Sequence, residues 1–340
     1  MNKLENFVFK KKSTWLVTGA AGFIGSNILN YLLKKNQKVI GIDNLINGKI
    51  EYISIIKKNT KPKKNFIFIK KDINDINFDK KIFNDVDFII HLASLGSVPR
   101  SYDDPELSIK NNINITIRLI SAFKAKKKLK RIIISSSSSV YGDQLTDKKR
   151  ENMKPNPKSP YAISKLSVEM YSELFSKKYN LPIIILRLFN VFGPFQRTDS
   201  IYSAVIPKWV KNINMNRPID VYGSKKISRD FTHVDNIIYF ICLIFKKNKS
   251  MKKFDIFNLA CGESIKLNEV IFAIQNAFSI SGIKKNNIVK LRKGREGDIF
   301  YSKACISKSK KLLGFRPLIS FKEGIEHTIN WYLKNKNYLK

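Results

Sequence analysis

The stretch Trp15-Leu16-Val17-Thr18-Gly19-Ala20-Ala21-Gly22-Phe23-Ile24-Gly25 limits the fold more than any other part of this chain. An apolar run enters a G-x-x-G-x-x-G turn, and helical apolar spacing follows at Ile28, Leu29, Leu32 and Leu33. Glycines at these positions permit a tight turn. They also let Gly19, Gly22, Phe23, Ile24 and Gly25 bring their backbone against a pyrophosphate at the helix N-terminus. Strands are predicted at 15–18, 38–42, 66–69, 88–91, 131–135 and 183–187, with helices at 26–35, 111–126 and 161–178 between them. This alternation predicts an α/β fold, a Rossmann-type doubly wound parallel sheet whose ligands sit at the carboxyl ends of the strands.

Asp43 ends the second predicted strand, eighteen residues past Gly25. A carboxylate there accepts adenosine ribose hydroxyls and repels a 2′-phosphate, and no arginine stands nearby, so the expected cofactor is NAD. Asp72 and Ile73, after the third strand, are expected near the adenine. At the fourth strand His91 reads as structural, and the small residue Ala93 lets a cofactor lie flat.

Beyond Asn190 the pattern loosens around Pro194, Pro207 and Pro218. A late strand is predicted at 254–259, and residues from about 266 read as a smaller α/β lobe. The expected division is 1–187 plus 233–260 for the nucleotide-binding domain and 188–232 plus 261–340 for a substrate domain. The longest apolar run, 237–245, ends in lysines. It reads as a buried helix, because a bilayer span needs roughly 18 residues. With no signal-like apolar core near the start, a cytoplasmic protein without a membrane partner is expected.

The net charge of +36 raises the question of nucleic acid. The chain holds 52 lysines and only 11 arginines, with the lysines spread along its length. Base and phosphate forks favour arginine. Lys, Ile and Asn together are what an AT-rich genome encodes, so no nucleic-acid partner is expected; the field can still attract an anionic small substrate. The three cysteines (Cys242, Cys261, Cys305) and three histidines (His91, His233, His327) are scattered, and no metal site is expected.

The run Ser135-Ser136-Ser137-Ser138-Ser139-Val140-Tyr141-Gly142 follows the strand at 131–134, where low-complexity filler would be out of place. One loop later comes Tyr161-Ala162-Ile163-Ser164-Lys165. Its i, i+4 spacing puts phenol and ammonium on one helix face. A neighbouring ammonium and an oxidised nicotinamide are expected to lower the tyrosine pKa, so that the phenolate can take a proton from a substrate hydroxyl. The same spacing recurs at Tyr31/Lys35, Tyr222/Lys226 and Tyr332/Lys336, but only Tyr161 starts a long helix beside the expected cofactor.

The ordered set of glycine turn, Asp43-Asn44, HLAS, SSSSSVYG, YAISK, LRLFNVFGP, SRDFTHVDN, FNLACGES and REGD resembles the extended short-chain dehydrogenase/reductase family over essentially the whole chain. Within it, the chain most resembles UDP-sugar 4-epimerases, especially those acting on UDP-N-acetylglucosamine. The resemblance implies NAD contacts including Asn44, and Ser137, Tyr161 and Lys165 as the catalytic set, Ser137 lying four residues before Tyr141. Strand alternation would put Ser135 and Ser139 on the face of Ser137. Dehydratases of the family carry acids at the next two positions. Here these are Ser138 and Ser139, so oxidation at C4 and return of the hydride is what remains.

The resemblance further implies substrate binding by Asn190, Arg229, Arg295 and Asp298, with Ser97 of a GSVPRS loop at the sugar. Ser302 falls at a gate position where a small residue admits an N-acetyl group. A homodimer pairing helices near 111–126 and 161–178 is also implied. UDP-glucuronate and UDP-glucose are the alternative substrates, and a non-catalytic nucleotide-sensing regulator is the alternative of another class. Leu188, in place of a common Tyr, and Ser224-Lys225-Lys226, in place of an acidic glycine turn, depart from the family pattern.

Overall fold

The computed structural model describes residues 9–60, 63–144, 146, 148–200, 204–224, 227–283, 287–294 and 301–339. In chain order its strands are β1 (Thr14–Thr18), β2 (Lys38–Asp43), β3 (Phe66–Lys70), β4 (Phe88–His91), β5 (Arg131–Ser137), β6 (Ile183–Leu188), β7 (Val191–Phe192), β8 (Ile219–Tyr222), β9 (Ser228–Arg229), β10 (Thr232–His233), β11 (Phe254–Leu259), β12 (Ile265–Lys266), β13 (Val289–Arg292) and β14 (Tyr301–Ser302). The principal helices are α1 (Phe23–Lys34), α2 (Ile50–Thr60), α3 (Ile115–Phe123), α4 (Pro160–Tyr179), α5 (Val205–Asn214), α6 (Val234–Lys246), α7 (Leu267–Ile280) and α8 (Phe321–Lys334).

Seven parallel strands form the central sheet in the order β11-β6-β5-β4-β1-β2-β3. The isoleucine runs of β5 and β6 are buried on both faces, as strands covered by helices must be. One face packs on α1, α2 and α6, and the other on α3 and α4, giving two cores that share the sheet. A third core gathers α5, α7 and α8 with β8. The order reverses at β1, where β2 and β4 flank it on opposite sides, and a cleft forms at such a crossing.

Three local differences from the sequence reading have physical causes. The turn at 109–114 is a wide π-helical segment rather than the start of a regular helix. There Asn112 accepts from Leu95 N (2.8 Å) and donates to Ser164 Oγ (2.8 Å), contacts that pull the chain open. Pro207 sits in the first turn of α5, where no intrahelical N–H is lost, so the residues read as a loop are helical. Helix α2 was not visible as a periodic segment; its buried face is Tyr52, Ile53 and Ile56.

Helix α4 begins with Ser159 accepting from Ala162 N, has Pro160 at its first position, and ends at Asn180 in the left-handed region. Its sheet-facing side is largely polar: Ser164, Lys165, Glu169, Ser172 and Ser176 are buried. Glu169 and Arg187 of β6 form a bidentate pair (Nε–Oε1 2.9 Å, Nη2–Oε2 2.7 Å), both under 5% exposed. Ser136 donates to the same carboxylate at 2.5 Å, and the guanidinium lies 4.7 Å over the Tyr141 ring. Glu169→Ala is expected to leave the buried guanidinium unpaired and cost about 3–5 kcal/mol. Denaturant unfolding would show a lower midpoint at unchanged slope; an unshifted midpoint would mean that Arg187 finds another partner.

Candidate active site

The glycine turn is forced by crowding. Gly19 has φ +68°, and a Cβ there would lie 2.8 Å from Ala93 N. A Cβ on Gly25 would lie 1.9 Å from Gly19 O. Gly22 caps α1 without a side-chain bond, so the first amides of the helix face outward toward the turn. From this turn a cleft of ≈ 390 Å³ runs over the carboxyl ends of the strands. It is lined at one end by Asp43, Asn44, Asp72 and Ile73, and at the other by Ala93, Ser137, Tyr161 and Lys165. Gly22, Phe23, Ile24 and Leu188 also line it.

Asp43 is buried and already holds the turn: Oδ2 accepts from Ala21 N (2.9 Å) and Oδ1 from Leu45 N (2.8 Å). Burial pushes its pKa up, and these amides oppose the rise. Each carboxylate oxygen still has a further lone pair for a ribose hydroxyl. Asp72 caps its own turn through Asn74 N and accepts from Asn44 Nδ2 at 2.8 Å, which fixes the wall between β2 and β3. His91 is buried between Thr18 Oγ1 (2.7 Å) and Thr116 Oγ1 (2.9 Å), and burial lowers its pKa to about 3, so it is a neutral structural residue.

At the other end Ser137 and Tyr161 line the cleft together, and the serine hydroxyl favours the tyrosine's charged form. Strand β5 stops at Ser137, and Ser138–Tyr141 form a 3₁₀ turn, so alternation does not carry on to Ser139. Ser137 Oγ caps that turn, accepting from Ser139 N (3.2 Å), and Ser139 Oγ lies 3.0 Å away. Ser139 thus reaches Ser137 by the turn and not by the strand. Ser136 points to Glu169, and Ser135 Oγ donates to His91 O.

The Lys165 ammonium donates to Ser135 O at 3.0 Å. Burial lowers its pKa to about 8, and the Glu169 carboxylate one turn on opposes this. Burial also raises the Tyr161 pKa, with the nearby Ser137 hydroxyl pulling the other way. The expected lowering of the tyrosine pKa is therefore not a property of the protein alone, because desolvation of the phenolate outweighs its neighbours. A cationic ring stacked in the cleft would supply the missing field. The glycine cradle, the carboxylate at the far end and a buried phenol that needs a cationic neighbour to ionise together fit a nicotinamide dinucleotide.

A second cleft of ≈ 270 Å³ adjoins the first at Asn190 and Val191. Arg229, Lys208, Trp209, Tyr222 and Phe231 line it. Asn190 holds φ +30°, with its Nδ2 donating to Asp230 O. Asp230 is fully buried and accepts from the backbone N–H groups of Cys261, Gly262 and Ala304, joining three loops behind the cleft. Ser302 is buried in β14 opposite Arg229 of β9 and does not line either cleft among the described residues. Ser97 caps the short helix Val98–Asp103 through Arg100 N and also lines neither. Arg295 and Asp298 lie outside the described residues.

Several lining residues were missed in the sequence. Asn47-Gly48 beside Asp43 is an Asn-Gly turn signal that could have found the adenosine-side loop. Lys208, Trp209 and Tyr222 carry no motif. The distant His233, Asp235 and His327 meet in space, against the reading of scattered histidines.

Fold and site define a dinucleotide-binding Rossmann protein with a Ser-Tyr-Lys centre facing a second, substrate-sized cleft. The family described as NAD dependent epimerase/dehydratase matches residues 15–260, and the chain belongs to that family. It is 35% identical to a UDP-N-acetylglucosamine 4-epimerase from Methanobrevibacter ruminantium M1, solved with UDP-N-acetylmuramic acid (TM-score 0.86; 96% of this chain and 99% of that one covered). It is 31% identical to a UDP-glucuronic acid 4-epimerase from Bacillus cereus, solved with UDP-glucuronic acid and NAD (TM-score 0.84; 95% and 99%). A UDP-glucuronate 4-epimerase of Thermodesulfobacterium geofontis is 32% identical over 331 residues (96% and 98%). Among the described residues no helix is long and apolar enough to cross a membrane.

Burying the Lys165 ammonium costs folding energy. Lys165→Met is expected to stabilise the cofactor-free protein by about 1–3 kcal/mol at pH 7 while removing activity. The folded pKa of about 8 lies below the usual lysine value, so the unfolded chain binds the extra proton. The gain is full below pH about 8 and shrinks as pH rises toward the ordinary lysine pKa. Unfolding midpoints of both proteins across that range test this; a gain that grows with pH would contradict the sign.

Proposed function

We propose that this chain is an NAD-dependent UDP-sugar 4-epimerase whose substrate pair is UDP-N-acetylglucosamine and UDP-N-acetylgalactosamine. The carrying observation is that Ser137, Tyr161 and Lys165 line one end of the first cleft with no carboxylate beside them: the described acids lining it are Asp43 and Asp72, both at its far end. Elimination of water needs a further acid and base at the carbons that lose it, whereas oxidation and re-reduction of one carbon needs only a group that takes the hydroxyl proton and returns it.

In this reading Gly19, Gly22, Phe23, Ile24 and Gly25 hold the NAD pyrophosphate, Asp43 and Asn44 the ribose side, and Asp72 and Ile73 the adenine. Ala93, Tyr161 and Lys165 border the nicotinamide. Bound NAD supplies a reversible hydride acceptor. Tyr161 takes the proton of the sugar 4-hydroxyl and returns it to the 4-keto sugar, while Ser137 hydrogen-bonds that oxygen and shares its proton with the phenol. Lys165 favours the phenolate electrostatically. Rotation of the keto sugar between the two proton transfers inverts C4. Asn190, Arg229, Arg295 and Asp298 form the substrate set, with Ser97 and Ser302 behind the cleft walls, and the adjoining cleft at Arg229 suits a nucleoside diphosphate in charge and position. The assignment of 1–187 with 233–260 to NAD, and of 188–232 with 261–340 to the UDP-sugar, belongs to the same proposal.

The N-acetylated substrate is supported by the relative crystallised with an N-acetylated UDP-sugar. The test is incubation with UDP-N-acetylglucosamine, without added NAD, followed by NMR of the anomeric protons. Appearance of UDP-N-acetylgalactosamine is expected. Conversion of only UDP-glucuronate or UDP-glucose would overturn the substrate, and inertness to all three with NAD added would overturn the epimerase. Tyr161→Phe is expected to lower turnover by at least ~10²-fold while NAD stays bound.

A homodimer through α4 and the 109–123 helices is part of the proposal. The solvent side of α4 carries Ile163, Met170, Tyr171 and Leu174, all more than 40% exposed, opposite a buried face that is largely polar. Such a stripe wants an apolar partner. Met170→Lys with Leu174→Lys is expected to halve the mass seen by analytical ultracentrifugation without loss of helix content. A wild-type monomer would refute the pairing.

A further inference from the structure

We propose that His233, Asp235 and His327 form a binding site for a divalent transition metal of the Zn²⁺ class, between the start of α6 and the surface of α8. One ligand atom from each residue lies within 4.8 Å of the others. His233 Nδ1 and Asp235 Oδ2 are 3.5 Å apart, and the two imidazoles meet edge to face at 5.8 Å between centroids. Zinc–ligand bonds of about 2.0–2.1 Å put neighbouring ligand atoms of a tetrahedron about 3.3 Å apart. The first pair is therefore already set, and only His327, on an exposed helix face, has to swing inward.

The site is built by close packing. Gly324, one turn before His327, lies so near His233 that a Cβ would come within 3.0 Å of its Cβ and 2.9 Å of the Phe192 ring. This presses α8 onto the end of β10 and brings the two histidines together. His233 itself is 1% exposed, and its Nε2 has no hydrogen-bond partner. Its Nδ1 accepts only a long bond from Asp235 N at 3.3 Å. In that tautomer Nε2 carries the proton, and an ion between Nδ1 and Asp235 Oδ2 would take the Nδ1 lone pair from the Asp235 N–H.

Two imidazoles and one carboxylate select Zn²⁺, Co²⁺ or Ni²⁺ over Mg²⁺ and Ca²⁺, which prefer all-oxygen shells. Asp235 is partly exposed and His327 exposed, so water can complete the coordination. Strand β10 pairs with β7 at Thr232↔Val191 and His233↔Phe192, and Val191 lines both clefts. A bound ion would pin α8 to the strand pair that forms the floor between them.

The test uses full-length protein stripped with EDTA and titrated with Zn²⁺, then Mg²⁺, by calorimetry and thermal unfolding, with Co²⁺ absorption as a separate readout. We expect about one equivalent of Zn²⁺, a raised unfolding temperature, no response to Mg²⁺ and a four-coordinate Co²⁺ spectrum. His327→Ala and Asp235→Asn are each expected to weaken Zn²⁺ binding by at least ~10-fold and abolish the thermal shift. The three cysteines stay in both variants. Absent saturable Zn²⁺ binding, or binding unchanged in both variants, would overturn the proposal.

Discussion

The Glu169–Arg187 ion pair is the contact on which the catalytic end of the molecule hangs. It joins α4 to β6, takes a hydrogen bond from Ser136 of β5, and stacks Arg187 on Tyr141, whose hydroxyl donates to Asn258 of β11 at 2.7 Å. Ser137 follows Ser136, and Lys165 lies one helical turn before Glu169. Two of the three residues in the proposed chemistry are therefore anchored by neighbours of one carboxylate. Well-packed apolar residues in place of a buried pair are often as stable or more so. What such residues could not do is fix strand, helix and turn in one register by directional bonds.

The same priority of placement over stability recurs nearby. A buried ammonium at Lys165 and a phenol with a raised pKa at Tyr161 both carry desolvation penalties. Each is unfavourable in the protein by itself, and each becomes useful when a positive ring and a sugar hydroxyl enter the cleft. Helix α4 accommodates them by turning the usual pattern round, with small serines and charges toward the sheet and Ile163, Met170 and Leu174 toward solvent. A helix of that kind is a poor surface element and a good subunit contact.

What could be read in the sequence was local and ordered along the chain. The glycine turn, Asp43 at a strand end and Tyr161 at a helix start each needed only spacing and context, and the doubly wound sheet followed from alternation. What escaped depends on long-range packing or on side chains competing with the backbone. Strand β5 ends at Ser137 because its hydroxyl caps the next turn, and the run of serines gives no sign of that. The 109–114 turn widens because Asn112 bonds Leu95 and Ser164. Helix α5 was obscured by Pro207, whose first-turn position is harmless. His233 and His327 look unrelated until Gly324 brings α8 down on β10.

The two questions of reaction and substrate are carried by different parts of the fold. In the proposed reading the reaction is set where β5 and α4 meet, by which residues are missing as much as by which are present: Ser138 and Ser139 give the turn no carboxylate, so proton transfer there would run through one hydroxyl and one phenol. In the same reading substrate choice falls to the second cleft. Asn190, in a strained backbone conformation, borders both clefts, and buried Asp230 ties its loop to those of Cys261 and Ala304. Ser302 takes part through its backbone, its carbonyl accepting from Asp230 N at 2.8 Å beside Arg229. A change at 302 therefore moves the strand that carries Arg229. In the proposed reading, breadth of substrate then depends on how β9, β10 and β14 are held together rather than on one side chain at a gate.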